Sequence, residues 1–515
     1  MMVTKDICIM LAIIAYLCLV VGIGIYYAKK TASVTDFYLG GRKLGPFVTA
    51  MSAEASDMSS WLLMGLPGVA YVSGIADAAW TAIGLAIGTY INWLIVAKRL
   101  RKYTEIAGNS TTVPEFFSKR HRDEKNILSG IAAVIIIIFF IPYTGSGFAA
   151  CGKLFNSLFG IDYHVAMIIS AIVIVAYTTL GGFLAASTSD FMQSIIMTIA
   201  LIVILGYGVT TAGGIDAVMT NANSLAGYFT LTHTYSADGP GNYGLLTIIS
   251  TLAWGLGYFG MPHIILRFMA IEDSKKLKLS RRIATIWVVI SLGVAIFIGV
   301  IGNAMSANGV LKKLVTEDGD ASETIIVEIA KLVSNHGVLA ALIAGVILAG
   351  ILAATMSTAD SQLLAASSSA SKDLLMGTFK MKFSDKTGML IARGTVVMIS
   401  IVAVIIAWNP DSSVFKIVSF AWAGFGAAFG PIVLFSLFWK RTNMYGALAG
   451  LVSGGAMVFV WKFIIRPMGG ALDIYELLPA FIVSSVCIVI VSLLTKKPDA
   501  SVYEEFEKVK LACKE

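Results

Sequence analysis

The chain has 515 residues, 57% of them hydrophobic and 13% charged, with a mean hydropathy of +0.82, a balance far from that of a soluble domain. Its formal charge of +7 is accounted for by the sidedness of its loops near anionic lipid, so no nucleic-acid partner is implied. Five cysteines, Cys8, Cys18, Cys151, Cys487 and Cys513, show no paired spacing and read as free thiols rather than a disulfide or metal framework.

Apolar runs of the roughly 20 residues needed to cross hydrocarbon recur along the sequence. They predict an all-α polytopic membrane protein with about thirteen spans, at 6–27, 46–72, 76–97, 126–152, 161–181, 189–211, 241–265, 283–306, 337–370, 389–408, 415–438, 443–465 and 474–495. The first is too long for a signal-peptide core and runs straight into Lys29 and Lys30, so it is expected to stay as a mature helix. The tail after residue 495 is a charged segment of about twenty residues. Within this sequence there is no room for a kinase, receiver or nucleotide-binding domain, which argues against a sensor or a pump with its own ATPase.

Lys and Arg are retained on the cytoplasmic side. Basic groups follow span one (Lys29, Lys30, Arg42, Lys43), span three (from Lys98 to Lys125), span seven (Lys275, Lys276, Lys278, Arg281, Arg282), span nine (Lys372, Lys380, Lys382, Lys386) and span eleven (Lys440, Arg441). All of these loops fall on one side. The other side holds scattered exceptions, Lys153, Lys312, Lys313, Lys331 and Arg466, and its long polar segment 213–240 contains no Lys or Arg. The expectation is a multi-pass protein of the plasma membrane with its N-terminus outside and its C-terminus, with Lys496 and Lys497, in the cytoplasm.

Span two contains AEASDMSSWLLMGLPGVAY, residues 53–71. An acid near the centre of a membrane helix costs about 2.5–3.5 kcal/mol and usually faces a cavity, a partner or an ion. With ten residues between Lys43 and Glu54, roughly 15 Å of helix, Asp57 lies too deep to be simply wet. Glu54, three residues earlier, reads either as functional or as facing a cytoplasmic vestibule. Span seven contains TLAWGLGYFGMPHI, residues 251–264, with Gly255, Gly257, Gly260 and Pro262. Pro262 has no N–H to donate, and freed carbonyls are tolerated in hydrocarbon only where they line a cavity or are buried in protein. Broken spans at the second and seventh positions are what an inverted five-plus-five repeat would produce, with a binding site between them.

Span nine contains ILAATMSTADSQLLAASSSASKD, residues 351–373, in which Ala354, Ser357, Thr358 and Ser361 share one helix face. Small residues and hydroxyls there are normal helix-packing glue. The alternative is a sodium site, in which unwound carbonyls near Ala55 and Met58 join the oxygens of Ser357 and Thr358. An intramembrane enzyme would need a nucleophile–base pair or metal motif, and His121, His164, His233, His263 and His336 form no HExxH. A channel would show flux that neither saturates nor couples to a co-ion.

At these residues a resemblance is plain. ASDMSSWLLMGLPG (55–68), WGLGYFGMPHIILRFMA (254–270) and AATMSTADSQLL (353–364) resemble motifs of the sodium/solute symporter family, most closely its sodium/proline symporters, and LGGRKLGPFVTAMSA (39–53) and LGGFLAASTSDFMQ (180–193) extend the likeness. The resemblance runs from about residue 6 to 495. It implies a LeuT-type core of ten helices in two inverted repeats, spans two to eleven, with one helix before and two after. The expected units are 1–45, 46–240, 241–440, 441–495 and a short tail, 496–515.

The implied activity is Na+-coupled uptake of L-proline by alternating access, with Na+ as coupling ion, no other cofactor, no covalent chemistry and no obligate protein partner. Carried over by residue, Ala55, Met58 and Ala354 would offer carbonyls to Na+ and Ser357 and Thr358 their hydroxyls, with Asp57 beside them. Ser59, Tyr143, Trp254, Tyr258 and Pro262 match the proline pocket, where an apolar ring wants aromatic walls and a carboxylate wants helix N-terminal N–H groups. Asp190 matches an acid that serves an additional cation in some relatives. Three positions depart from the pattern: Glu54 and Ser60 stand where the proline symporters carry Gly, and Met261 where they carry Gln. Ser60 and Met261 lie beside pocket residues, so the alternative is a Na+ symporter for another small amino acid or carboxylate.

Overall fold

The long apolar runs become long helices in the computed structural model, which describes residues 4–29, 31, 33–316 and 319–514; Lys30 of the first basic group lies outside the described residues. Among the described residues ten helices are long and apolar enough to cross a membrane, or eleven when one bent pair is taken as a single span. Large apolar side chains such as Ile172, Ile202 and Ile286 are exposed on their outer faces, as a lipid-facing surface requires.

Helix α1 is Thr4–Ala28. Helix α2, Pro46–Asp57, begins with Pro46, which lacks only an N–H that the first turn leaves unpaired. It stops at Met58 (φ −72°, ψ 12°), whose N–H returns to the Glu54 carbonyl at 2.8 Å. After Ser59 and Ser60 a wide turn, Trp61–Gly65, leads into α3, Leu66–Ser73. The interruption expected in span two is therefore a break immediately after Asp57. Helices α4 (Ile75–Ile106) and α5 (Ile127–Phe159) follow.

The expected spans 161–181 and 189–211 are joined in one continuous element, α6, Tyr163–Thr211, which turns at Gly182 (φ 63°, ψ −159°). No loop intervenes, because residues 183–188 are themselves helix-compatible and the direction changes at one residue. A side chain at Gly182 would meet Phe37 at 2.8 Å and sit at a φ that L residues rarely adopt.

Span seven is broken as the sequence indicates. Helix α7, Leu245–Leu252, tightens into a 3₁₀ stretch, Ala253–Phe259, and α8, Pro262–Ala270, restarts at an angle of 43°. Gly257 permits the crossing there, since a Cβ at that position would lie 1.9 Å from the Trp422 indole nitrogen. The remaining long helices are α9 (Ser274–Ala307), α10 (Val338–Ser368, continued by wide turns to Thr378), α11 (Lys386–Ile406), α12 (Val414–Phe438), α13 (Met444–Met468) and α14 (Leu477–Leu494).

Helices α6 and α10 pack along each other with α1 against both, and α2 lies against α6, α8, α9 and α10. The site is formed where α2, α5, α7, α8 and α10 meet. The all-helical expectation needs one amendment: the polar segments outside the spans hold two antiparallel hairpins of two-residue strands, His233–Thr234 with Gly241–Asn242 and Val315–Thr316 with Gly319–Asp320. The charged tail is a docked helix, α15 (Ala500–Ala512), with Phe506 under the guanidinium groups of Arg99 and Arg120 and Glu505 paired to Arg122 at 2.7 Å.

Candidate functional site

The break after Asp57 brings its freed backbone to the small-residue face of α10. Ser357 Oγ donates to the Ala55 carbonyl at 2.8 Å and lies 3.2 Å from the Ala354 carbonyl, to which Thr358 Oγ1 also donates at 3.2 Å. All four residues are buried. Two carbonyls and two hydroxyls within hydrogen-bonding distance form a set of hard oxygens suited to an alkali cation, since each hydroxyl can rotate its proton away and present a lone pair. Of the six residues expected around Na+, the structure thus joins Ala55, Ala354, Ser357 and Thr358 directly. Met58 forms the break itself. The Asp57 carboxylate stands apart from that group: Oδ2 accepts from the Tyr258 hydroxyl at 2.5 Å, and Oδ1 is buried without a partner.

Asp57 links this group to the aromatic residues. Its carbonyl accepts from Tyr143 at 3.4 Å and from the Trp61 indole at 3.3 Å. Trp254 is stacked on Tyr475 with centroids 5.1 Å apart and lies 5.5 Å from Phe415 and 6.2 Å from both Trp61 and Trp422, while the Trp422 indole donates to the Trp254 carbonyl at 2.8 Å. Ser59 Oγ accepts from the Trp61 N–H at 3.2 Å and, with Tyr143, Thr358 and Gln362, lines a cleft too narrow for a water molecule. The Ser60 hydroxyl is buried without a partner, and Met261 and Pro262 are buried at the start of α8. A wide cavity of about 1030 Å³, lined by Gly65, Phe415, Lys153, Glu323 and Arg466 among others, approaches this cluster from one side, and Phe415 separates it from Trp254.

Asp190 belongs to a second buried group one turn further along α2 and α10. Its Oδ2 accepts from Ser52 at 2.7 Å and from Arg267 at 3.0 Å. Arg267 also donates to Ser52, to the His263 carbonyl and to Ser361, and Ser361 and Tyr177 hold Asp360 at 3.1 and 2.9 Å. Two acids thus face one arginine in a buried setting. Arg267 and Asp360 were given no role by sequence reasoning, although an ionisable residue inside a span is itself a signal. Glu54 is also corrected here: it is 1% exposed and accepts from the Trp93 indole at 2.8 Å, so it does not face a vestibule.

Interrupted helices meeting around buried oxygens and aromatic walls define a polytopic helical transporter. A model of the sodium:solute symporter family matches residues 37–454, and the chain belongs to that family. It is 43% identical to the sodium/proline symporter of Staphylococcus aureus strain USA300 / TCH1516, covering 98% of this chain and 95% of that protein, and equally to the sodium/proline symporter of strain JH9. Among solved structures, a Na+-coupled sialic acid symporter in a substrate-bound outward-open state superposes with a TM-score of 0.79 at 18% identity, over 96% of this chain and 99% of that one. A nucleobase-cation-symport-1 family transporter in a closed conformation gives 0.55 at 14% identity, over 92% and 98%. These two show the fold.

Proposed function

We propose that this chain is a secondary active symporter that couples inward Na+ flow to uptake of L-proline across the plasma membrane by alternating access. The observation that carries the reading is the meeting of the Ala55 and Ala354 carbonyls with the Ser357 and Thr358 hydroxyls at the break after Asp57. Full-length similarity to sodium/proline symporters supports the substrate. Inward Na+ supplies about 2.3 kcal/mol per 100 mV of potential before its concentration gradient is added.

In this reading Met58 adds a carbonyl to the Na+ shell and the Asp57 charge favours the cation from beside it. Ser59, Tyr143, Trp254, Tyr258 and Pro262 bound the proline pocket, and Asp190 serves an additional cation. Splitting α6 at Gly182 and adding the broken spans 46–73 and 245–270 to the nine other membrane helices gives thirteen. Spans two to eleven are then two inverted repeats, 46–240 and 241–440, between an N-terminal unit, 1–45, and two C-terminal helices, 441–495, with the tail 496–515. With the N-terminus outside and the C-terminus in the cytoplasm, the wide cavity is the outer vestibule.

A second substrate reading rests on Ser60 and Met261: an unpaired buried hydroxyl and a thioether beside the pocket favour another small amino acid or carboxylate. The test is uptake of labelled proline by proteoliposomes with an inward Na+ gradient, against K+ in its place, followed by a panel of amino acids and carboxylates. Saturable, Na+-dependent proline accumulation is expected. Na+-driven uptake of a different panel member would establish the second reading, and uptake without Na+ dependence would refute both.

A further inference from the structure

Where the start of α13 and the link from α14 to α15 meet the short helix Val113–Arg120, between α4 and α5, they leave a cavity of about 180 Å³. Its charged lining is Arg120, Arg122, Lys496 and Lys497 against one acid, Asp499. Lys496 and Lys497 are exposed and, among the described residues, pair with no acid. Arg120 is fully buried and satisfied only through Nε, which donates to the Ser436 carbonyl at 3.0 Å; Nη1 and Nη2 have no partner. The formal charges acting on it are those of Arg99, Arg122 and Glu505, and Glu505 gives its Oε2 to Arg122 at 2.7 Å. One carboxylate is thus shared among three guanidinium groups. A buried guanidinium with idle donors and like charges around it is unfavourable unless an anion compensates it.

The backbone around the cavity is arranged to receive that anion. Asn443 Nδ2 donates to Thr495 Oγ1 and to the Lys496 carbonyl, both at 2.6 Å, and Arg441 donates to the Thr495 carbonyl at 2.9 Å. These bonds fix the segment that carries Lys496 and Lys497 against the start of α13. Met444 and Tyr445, the first residues of α13, line the cavity, and so do Asp499 and Val502 at the start of α15. Asp499 makes no side-chain bond to the first turn of α15, so the N–H groups there lack a side-chain cap. Two helix N-termini therefore add their partial positive charge to that of the side chains.

We propose that this cavity is a phosphate-binding site, filled by the headgroup of an anionic phospholipid or by a soluble phosphate, and that its occupant ties α15 to the start of α13 and to Arg120. The cavity is roomy enough for several waters and so for a phosphate group. The phosphate supplies the anion that Arg120 lacks and accepts charge-assisted hydrogen bonds from Lys496 and Lys497. Exposed Leu493, Leu494 and Tyr445 beside the basic residues offer an apolar flank, which favours the lipid as the source, since basic pockets between membrane helices recognise anionic headgroups.

The test uses the purified full-length protein, stripped of lipid in a non-ionic detergent. Binding is followed by native mass spectrometry and by amide hydrogen exchange in α15, with phosphatidylglycerol against phosphatidylcholine, and with potassium phosphate against KCl at equal ionic strength. The wild type is expected to prefer phosphatidylglycerol to phosphatidylcholine, or phosphate to chloride, and the bound ligand should slow exchange in α15. Binding of phosphatidylglycerol alone assigns the site to lipid, and binding of inorganic phosphate assigns it to a soluble phosphate. Lys496→Gln/Lys497→Gln, changed at two exposed positions, should bind the same ligand about thirtyfold more weakly, the loss expected for two basic contacts to an anionic headgroup. Lys275→Gln/Lys278→Gln alters a separate basic cleft, lined also by Lys98 and Arg281, and should bind the ligand as the wild type does. No preference for either phosphate in the wild type, wild-type affinity in Lys496→Gln/Lys497→Gln, or an equal loss in Lys275→Gln/Lys278→Gln would overturn the site.

Discussion

Ser357 shows how the residue scale works in this protein. Its hydroxyl lies within reach of two carbonyls on different helices, those of Ala55 and Ala354, so one side chain ties the break in α2 to the face of α10. Removing it takes away the tie and, in the proposed site, one of the Na+ ligands. Ser357→Ala and Asp57→Asn are each expected to raise the half-saturating Na+ for uptake by about tenfold or more, equivalent to about 1.4 kcal/mol; unchanged Na+ dependence in both would contradict the site. Tyr143→Phe should instead weaken substrate binding at saturating Na+, and so should Trp254→Phe, which keeps most of the packing against Tyr475 and Phe415. Normal substrate affinity in both variants would place the pocket elsewhere. Ala354, Ser357 and Thr358 were legible because their helical spacing put them on one face, and Asp57 because an acid stood inside an apolar run. The Asp190–Arg267–Asp360 group was not assembled in advance. Its members come from α6, α8 and α10, and nothing local in any one segment reports which faces will meet.

At the scale of elements, the breaks were visible as composition and the kink was not. Gly and Pro in 254–262 announce the interruption between α7 and α8. At Gly182 the flanking residues remain helix-compatible, so the apolar pattern suggested two spans with a loop between them, whereas the chain turns at a single residue. Gly182→Ala is expected to lower thermal stability in detergent by the equivalent of about 1 kcal/mol or more, because it adds a Cβ 2.8 Å from Phe37 at φ 63°. A melting temperature equal to the wild type's would show that the kink does not depend on glycine. Gly182 also lies on the element that carries Asp190, eight residues before it, so the kink sets where that acid meets Arg267.

At the scale of the whole molecule, the hydropathy pattern conveyed the membrane-spanning architecture, and the basic loops led to an expected orientation. What it could not convey is how the polar segments assemble. The helix Val113–Arg120, between α4 and α5, places Glu115 3.0 Å from Lys372 and 2.6 Å from Lys119, and its carboxylate also accepts the Thr111 N–H at 2.8 Å. Burial alone would raise the Glu115 carboxyl, but Lys372, Lys119 and the Thr111 N–H outweigh it and hold it down to about 2, from an ordinary value of 4.5. A group depressed on folding stabilises the fold above its unfolded value and loses that contribution as pH falls through its folded one. The stability difference between wild type and Glu115→Gln should therefore be full above about pH 4.5 and shrink toward pH 2, as read by melting curves across that range. A difference that does not change with pH would show that the carboxylate's charge contributes nothing.

The claim that unites these scales is coupling: one closed core binds Na+ and solute together, so that neither crosses productively alone. Its most direct test is the reverse of uptake, in which proteoliposomes with equal Na+ on both sides and no potential receive an inward proline gradient while radioactive Na+ is followed. The account predicts net Na+ entry driven by proline, abolished when proline is equal on both sides. Proline entry with no net Na+ movement would contradict it.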